Sequence, residues 1–557
     1  MKRKFLVVFL ALSMLLSVLS GCAKEVEKPV EEPAAPAATE APAVTEAPAA
    51  TEVPAATEAP VEELALPEIV SIAIGADPAD LAPFVGMSMG RIAVLKTIYE
   101  YLIETDSMGG AAVPMIAKSW EKTGDKVYKI TIFDNVYDSA GNHITAADVA
   151  WSYNTAKELG NLRPLGDIVS ISAVDDVTVN LEVKSNFGPG GLEKVLSECP
   201  IISQKAYEAS PDGFATKPIT SGPYLLTEYV PGSSLTFERR EDYWQTDPQY
   251  RTLFSQANVK KIVFKVITEA AQNAIALETG NVDIAAGVTQ DDLARFMNNP
   301  AFTTFNFLDN LTQNLQFNGS EGHPLTNKEL RQAIAYAIDT SAMCEAVAPG
   351  ACTPAHTIGN PNFGGYLKKW ESEPYYEYDL EKAKELFAAS GHTPGELTFK
   401  LLAQNDARSG LMAQIIQAQL GELGIAVEIS QVESAVYNQI QYDPTAYDLL
   451  LAMSAGGDFI FSPWQLVYDQ NRYNGTTSNF FKDDELQSLL ATVSSLEGFN
   501  EANVDAFQQY QKEQLYAYGM LSFNSIIVAD SGVLKVVRDT RGQVIPGACE
   551  YAADFNK

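Results

Sequence analysis

The sequence predicts an α/β protein with more than one domain, and three observations carry that expectation. Apolar–polar alternation at a period of two recurs after residue 64, and in the second half it takes turns with segments of helical period. This is the pattern of a sheet with helices on its faces. Composition is 46% apolar and 20% charged, which excludes a disordered body. At 557 residues the chain exceeds what one hydrophobic core ordinarily serves.

The chain begins differently. Lys2, Arg3 and Lys4 precede an apolar stretch from Phe5 to Leu19, and Leu19-Ser-Gly-Cys22 closes it. A charged start, a short apolar run and small residues at the cut read as a secretory signal. The run is shorter than the ~20 residues that span a bilayer. It resembles the lipobox of bacterial lipoproteins, which implies a signal peptide over 1–22 and lipidation at Cys22. Ordinary secretion with an incidental cysteine is the alternative. Residues 23–63 form a tether in which Thr-Glu-Ala/Val-Pro returns every six residues, from Thr39 to Pro60. Nothing in it buries a face, so it is expected to be disordered and extended. At about 3.1 Å per residue it reaches on the order of 120 Å.

In the body, Val70-Ser-Ile-Ala-Ile-Gly75 alternates and reads as a strand, followed by a helix over 91–103. Strands are expected at 127–133 and 178–183. Between them Thr145-Ala-Ala-Asp148 is a capping box opening a helix with Val149, Trp151 and Tyr153. Capping boxes also stand at Thr289…Asp292 and Thr326…Glu329. A helix over 269–279 stops at Gly280, flanked by strands near 234–240 and 260–267. Helices at 327–339, 379–389 and 409–423 then interleave with strands at 397–403, 425–432 and 447–453.

The net charge of −32 argues against nucleic acid and against adhesion to anionic lipid, and it favours solubility with at most a mild preference for cationic ligands. No later apolar run approaches bilayer length, so membrane association is expected through the lipid alone. Besides Cys22 there are Cys199, Cys344, Cys352 and Cys549. Cys344 and Cys352, a helix end and the following loop, are the first candidates for a disulfide; buried free thiols are the alternative. Neither the cysteines nor His143, His323, His356 and His392 have metal-site spacing, so no metal or cofactor is expected. Gly86-Met87-Ser88-Met89-Gly90 matches G-x-S-x-G, but Ala82-Pro83-Phe84 separates it from the preceding strand. A nucleophile elbow needs the strand to feed the turn directly. A serine hydrolase at Ser88 is therefore a distant alternative, and no enzyme is expected.

Several segments act together. They are Ile144-Thr-Ala-Ala-Asp148-Val-Ala-Trp151, Thr220-Ser-Gly222-Pro-Tyr224, Leu277-Glu-Thr-Gly280-Asn-Val-Asp283, Leu330-Arg331-Gln-Ala-Ile-Ala-Tyr-Ala-Ile-Asp339, Tyr378-Asp379-Leu-Glu-Lys-Ala383 and Gln417-Ala-Gln-Leu420-Gly-Glu-Leu-Gly424. In order and spacing they resemble the solute-binding proteins of ABC importers, in the oligopeptide/dipeptide-binding family. The resemblance implies a two-lobed, type II periplasmic-binding-protein-like fold. Lobe I would combine 64–109, 216–310 and 520–557, with an inserted subdomain at 110–215; lobe II would be 311–519. Chain crossings near 310 and 520 would form a hinge. It implies a monomer held outside the cytoplasmic membrane that closes on peptides and delivers them to an ABC permease and its ATPase. Another solute (an oligosaccharide, nickel chelate or opine) and a sensor or adhesin role stay open.

The same resemblance points to a site. Family peptide binders hold the ligand ammonium with an aspartate after a strand of the second lobe, and here Gly457-Asp458 takes that place. A carboxylate facing a cleft suits an amine through a charge-assisted hydrogen bond; a solvated loop acid or helix N-cap is the plainer reading. Ala455 stands where the family often has Trp, which leaves Phe459, Phe461 or Trp464 to supply an aromatic wall. Arg408 is the candidate for the ligand carboxylate. Ser88, Met89 and Arg91 lie on the loop expected to face the cleft, where Gly86 and Gly90 permit close backbone approach.

Overall fold

The computed structural model describes residues 66–556, without 87–88, 106–109, 456 and 472–476. The signal, the Cys22 lipidation site, the tether and Ser88 lie outside the described residues.

Among the described residues the main sheet has eleven strands and is mixed. On one side, Val70–Ile74 runs parallel to Lys261–Val266 and Ile284–Ala286. Val70, Ile72 and Ile74 are its buried residues, as the alternation requires. On the other side, Thr398–Gln404 runs parallel to Ala426–Val432 and Leu449–Ala455. The helix Ala407–Gly421 covers these strands with Met412, Ala413, Ile416 and Leu420 buried, while Leu411, at the stripe's edge, stays 38% exposed.

Two long strands join the sides. Phe302–Phe317 and Ala517–Asp530 pair antiparallel with one another. Each passes from one hydrophobic core to another. Phe305, Phe307, Ile527 and Ala529 pack with Val70 and Phe264. Leu315, Phe317, Tyr518 and Leu521 pack with Leu401, Ile416 and Leu449. The register of the pair shifts between Leu308 and Thr312. The freed carbonyls there are taken by side chains: Asn362 Nδ2 donates to Leu308 O at 2.7 Å, and Asn360 Nδ2 to Asp309 O at 2.7 Å.

A separate antiparallel sheet is ordered Ala117–Gly124, Val127–Ile132, Thr178–Val183, Ile168–Ala173. The helix Ala146–Leu159 packs on it, and its core residues Ile130, Val149 and Leu181 are continuous with the core of Val70. A further core holds Trp370, Trp464 and Phe507 under the helices Phe461–Tyr468 and Glu501–Gln514.

Two expected boundaries shift. The helix expected over 91–103 runs Met89–Ile98. Ile98 O accepts from Gly222 N at 3.0 Å, and a Cβ on Gly222 would sit 2.4 Å from that oxygen. The chain then extends, and Ile103–Thr105 pairs with Ala112–Pro114. The expected cap Thr326 yields to Asn327, whose Oδ1 accepts from Leu330 N at 3.0 Å, while Thr326 Oγ1 donates to His323 O. The Thr145 capping box forms: Asp148 Oδ2 accepts from Thr145 N at 2.9 Å. Cys344 and Cys352 are joined in a disulfide with their Cα atoms 5.2 Å apart, and Cys199 and Cys549 are buried free thiols.

Candidate functional site

A cleft of about 880 Å³ opens where the long strands lose register. It is lined by Phe307 to Leu311 and Ser525, by Ala455, Gly457 and Asp458, and by Glu104, the 193–198 region and the turn at 538–543.

Asp458 is placed by local backbone. The strand Leu449–Ala455 ends just before Gly457, which has φ +73°, and a Cβ there would lie 2.1 Å from Ser462 Oγ. Only glycine suits both constraints. Gly364 then clamps the next residues: Gly364 N donates to Asp458 O at 2.9 Å and Ile460 N to Gly364 O at 2.9 Å. The Asp458 side chain is half-buried and makes no hydrogen bond or ion pair with any described residue. Its backbone is clamped, and its carboxylate lies at the cleft without a partner among the described residues.

Phe459 turns away from the cavity, stacked on Phe461 at 5.7 Å and set edge-on to Phe499 at 5.2 Å. The Gly188-Pro-Gly190 turn abuts this group. A Cβ on Gly190 would lie 2.4 Å from Phe459 Cε2, and one on Gly188 2.4 Å from Ser494 O. Trp464, expected on the ligand wall, is instead core. It is fully buried, stacked on Phe507 at 4.4 Å, and donates to Thr357 Oγ1 at 3.3 Å. Arg408 is exposed in the first turn of its helix, with its guanidinium 4.5 Å over the Phe523 ring and outside the cavity lining. Arg91 is also structural: it is buried and donates to Asp80 Oδ1, Pro78 O and Ala82 O. Met89 starts the helix Met89–Ile98. The close approach that Gly90 permits is to the chain itself, because a Cβ there would lie 2.7 Å from Ala76 O.

The sequence reading missed the cations of the cleft. Arg538 lies 3.6 Å from Asp309 Oδ1, donates to Leu308 O at 3.2 Å and covers Phe307 at 4.2 Å. Desolvation lowers its pKa from the ordinary value. Arg541 pairs with Glu198 at 3.1 Å, and Lys96 with Glu104 at 2.7 Å in a nearly water-free setting. Asp539 Oδ1 accepts from Arg541 N and Gln543 N, while its Oδ2 is buried without a partner. Burial raises its carboxyl pKa. Arg538-Asp-Thr-Arg541-Gly-Gln543 reads locally as a solvated turn, and no spacing in it announces a cleft.

This fold, with a charged cleft where two long strands cross, defines a type II periplasmic binding protein. Comparison narrows the class. The model for the bacterial extracellular solute-binding proteins, family 5 (middle region), matches residues 111–477. The nickel-binding periplasmic protein of Escherichia coli K12 is 26% identical over 407 residues, 67% of this chain and 73% of that one. The probable D,D-dipeptide-binding periplasmic protein DdpA of the same organism is 24% identical over 468 residues, 81% of this chain and 87% of that one. The solved structure of HbpA2 from Haemophilus parasuis is similar in fold, with a TM-score of 0.75 at 19% identity, covering 87% of this chain and 100% of that one. The chain belongs to the family 5 bacterial extracellular solute-binding proteins. Its role is substrate binding for an ABC importer, on the exported side of the membrane. No helix among the described residues is long and apolar enough to cross a membrane.

Proposed function

We propose that the solute is a peptide whose α-ammonium is held by Asp458. The free, backbone-clamped carboxylate of Asp458 on the cleft wall carries this reading. An ammonium offers donors to both carboxylate oxygens, and exclusion of water on closure strengthens the pair. The cavity of about 880 Å³ suits a short peptide with bridging water. A dipeptide-binding relative supports the same class.

In this reading the lobes are 64–109 with 216–310 and 520–557, and 311–519, with 110–215 inserted; the long strands form the hinge. Ligand contacts from both lobes favour the closed state. Lipid at Cys22 and the 23–63 tether keep capture within about 120 Å of the membrane and of the permease. In this reading the protein acts as a monomer.

The test is mass spectrometry of solute co-purifying with the protein, followed by calorimetry with a mixed di- to hexapeptide library. Binding of di- to hexapeptides is expected. Tight binding of a sugar, or of a nickel chelate, with no peptide bound would overturn the peptide reading.

A further inference from the structure

We infer that the cleft selects solutes with a second positive charge, a second ammonium or guanidinium beyond the one at Asp458. This rests on the peptide reading for the first ammonium. Three of the cleft's cations are already engaged: Lys96 by Glu104, Arg538 by Asp309 and Arg541 by Glu198. Three carboxylates are not. The side chains of Asp458 and Glu193 make no ion pair or hydrogen bond with any described residue, and Asp539 keeps one oxygen buried and unmet. Among the described lining residues the cation left to face them is Lys194, which is exposed, where solvent and salt screen it.

Asp539 is the strongest of these observations. Its Oδ1 holds the turn through Arg541 N and Gln543 N at 3.0 and 2.7 Å, so the side chain cannot swing out without breaking both. The charge of Lys96 reaches Asp539, yet Lys96 is itself tied to Glu104. A buried carboxylate with an unmet oxygen is costly, and a cation brought into the cleft beside it lowers that cost. A neutral zwitterion brings one ammonium and a carboxylate, and among the described lining residues that carboxylate finds Lys194 free. A solute with a second cation meets Glu193 directly and lies in the field of the buried Asp539 carboxylate. The chain's net charge of −32 draws such solutes in from a distance. A peptide with Lys or Arg near its amino terminus and a linear polyamine both carry this chemistry.

Calorimetry would compare Ala-Lys-Ala, Ala-Ala-Ala, Ala-Glu-Ala and spermidine on the full chain. Ala-Lys-Ala is expected to bind at least tenfold more tightly than Ala-Ala-Ala, with Ala-Glu-Ala weakest. Asp539→Asn keeps an oxygen for the two turn hydrogen bonds and is expected to shrink that ratio below threefold; Glu193→Gln reduces it less. Thermal unfolding of both variants checks that they fold. Equal binding of the three peptides, or preference for Ala-Glu-Ala, would overturn the charge inference and leave the peptide reading standing. Spermidine binding with no tripeptide bound would overturn the peptide reading and support the charge inference. A ratio untouched by both substitutions would remove these carboxylates from the site.

Discussion

Gly190 lies so close to Phe459 that a methyl group on it would fall 2.4 Å from the ring carbon Cε2. Phe459 follows Asp458 directly, so the turn touches the residue beside the proposed ammonium site. Gly190 has φ +72°, which any side chain would strain. Gly190→Ala is therefore expected to hinder closure and weaken solute affinity about tenfold, in line with ~1–3 kcal/mol for overpacking. Calorimetry reads the loss, and small-angle scattering of the solute-saturated variant should show a larger radius of gyration. Phe459→Ala in the same chain should restore part of the affinity, because it removes the clash.

Asp458→Ala is expected to weaken peptide binding by ~2–5 kcal/mol, the range for breaking a desolvated charge pair. The unfolding midpoint should hardly move, since the side chain makes no hydrogen bond with any described residue. Unchanged affinity would take Asp458 out of the site.

Glu100 predicts a pH dependence of stability. It is buried, with Tyr243 Oη and Trp244 Nε1 donating to its carboxylate, and burial raises its pKa from 4.5 to about 7. Between those values the folded chain keeps a proton that the unfolded chain has released. This contribution is therefore full below about pH 4.5 and is lost as pH rises to 7, by up to about 3 kcal/mol. Glu100→Gln, whose amide has a donor for Tyr243 and an acceptor for Trp244, should flatten the urea midpoint between pH 5 and 8. A variant with the wild-type slope would refute the assignment.

The Cys344–Cys352 disulfide closes a short loop between the helix Thr340–Val347 and the strand Cys352–Pro354. In the chain-entropy account such a loop is worth ~2–3 kcal/mol. Cys344→Ser with Cys352→Ser should lower the denaturant midpoint accordingly. A reductant should act on the native chain and not on the double variant.

The regular elements were legible where one signal dominated. Thr178–Val183 alternates cleanly, and Gly280 ends its helix with φ +66°. The helix over 91–103 was read too long because Tyr99 and Tyr101 continue an apolar pattern, whereas a distant glycine, Gly222, ends it. The two long strands were read only as crossings near 310 and 520, since polar residues such as Asn314 and Gln316 interrupt their apolar pattern yet lie buried in the sheet. The cleft divides the same way. Asp458 sits in a strand–glycine–turn context that the sequence displays. Arg538 and Asp539 gain their environment from Asp309 and Glu104, more than 200 residues away, and nothing local encodes that meeting. Trp464 shows the converse: an aromatic near the site whose partners, Thr357 and Phe507, place it in the core.

The loss of register between Leu308 and Thr312 has a mechanical consequence. Both crossings belong to neighbouring strands of one ladder, so neither lobe can slide or spin independently of the other. What remains is flexure of a two-strand ribbon at its weakest point, beneath the proposed solute site. The motion available to the proposed lobes is thus close to a single rotation, and a solute held at the proposed site would lie near its axis, where a small displacement corresponds to a large change of angle.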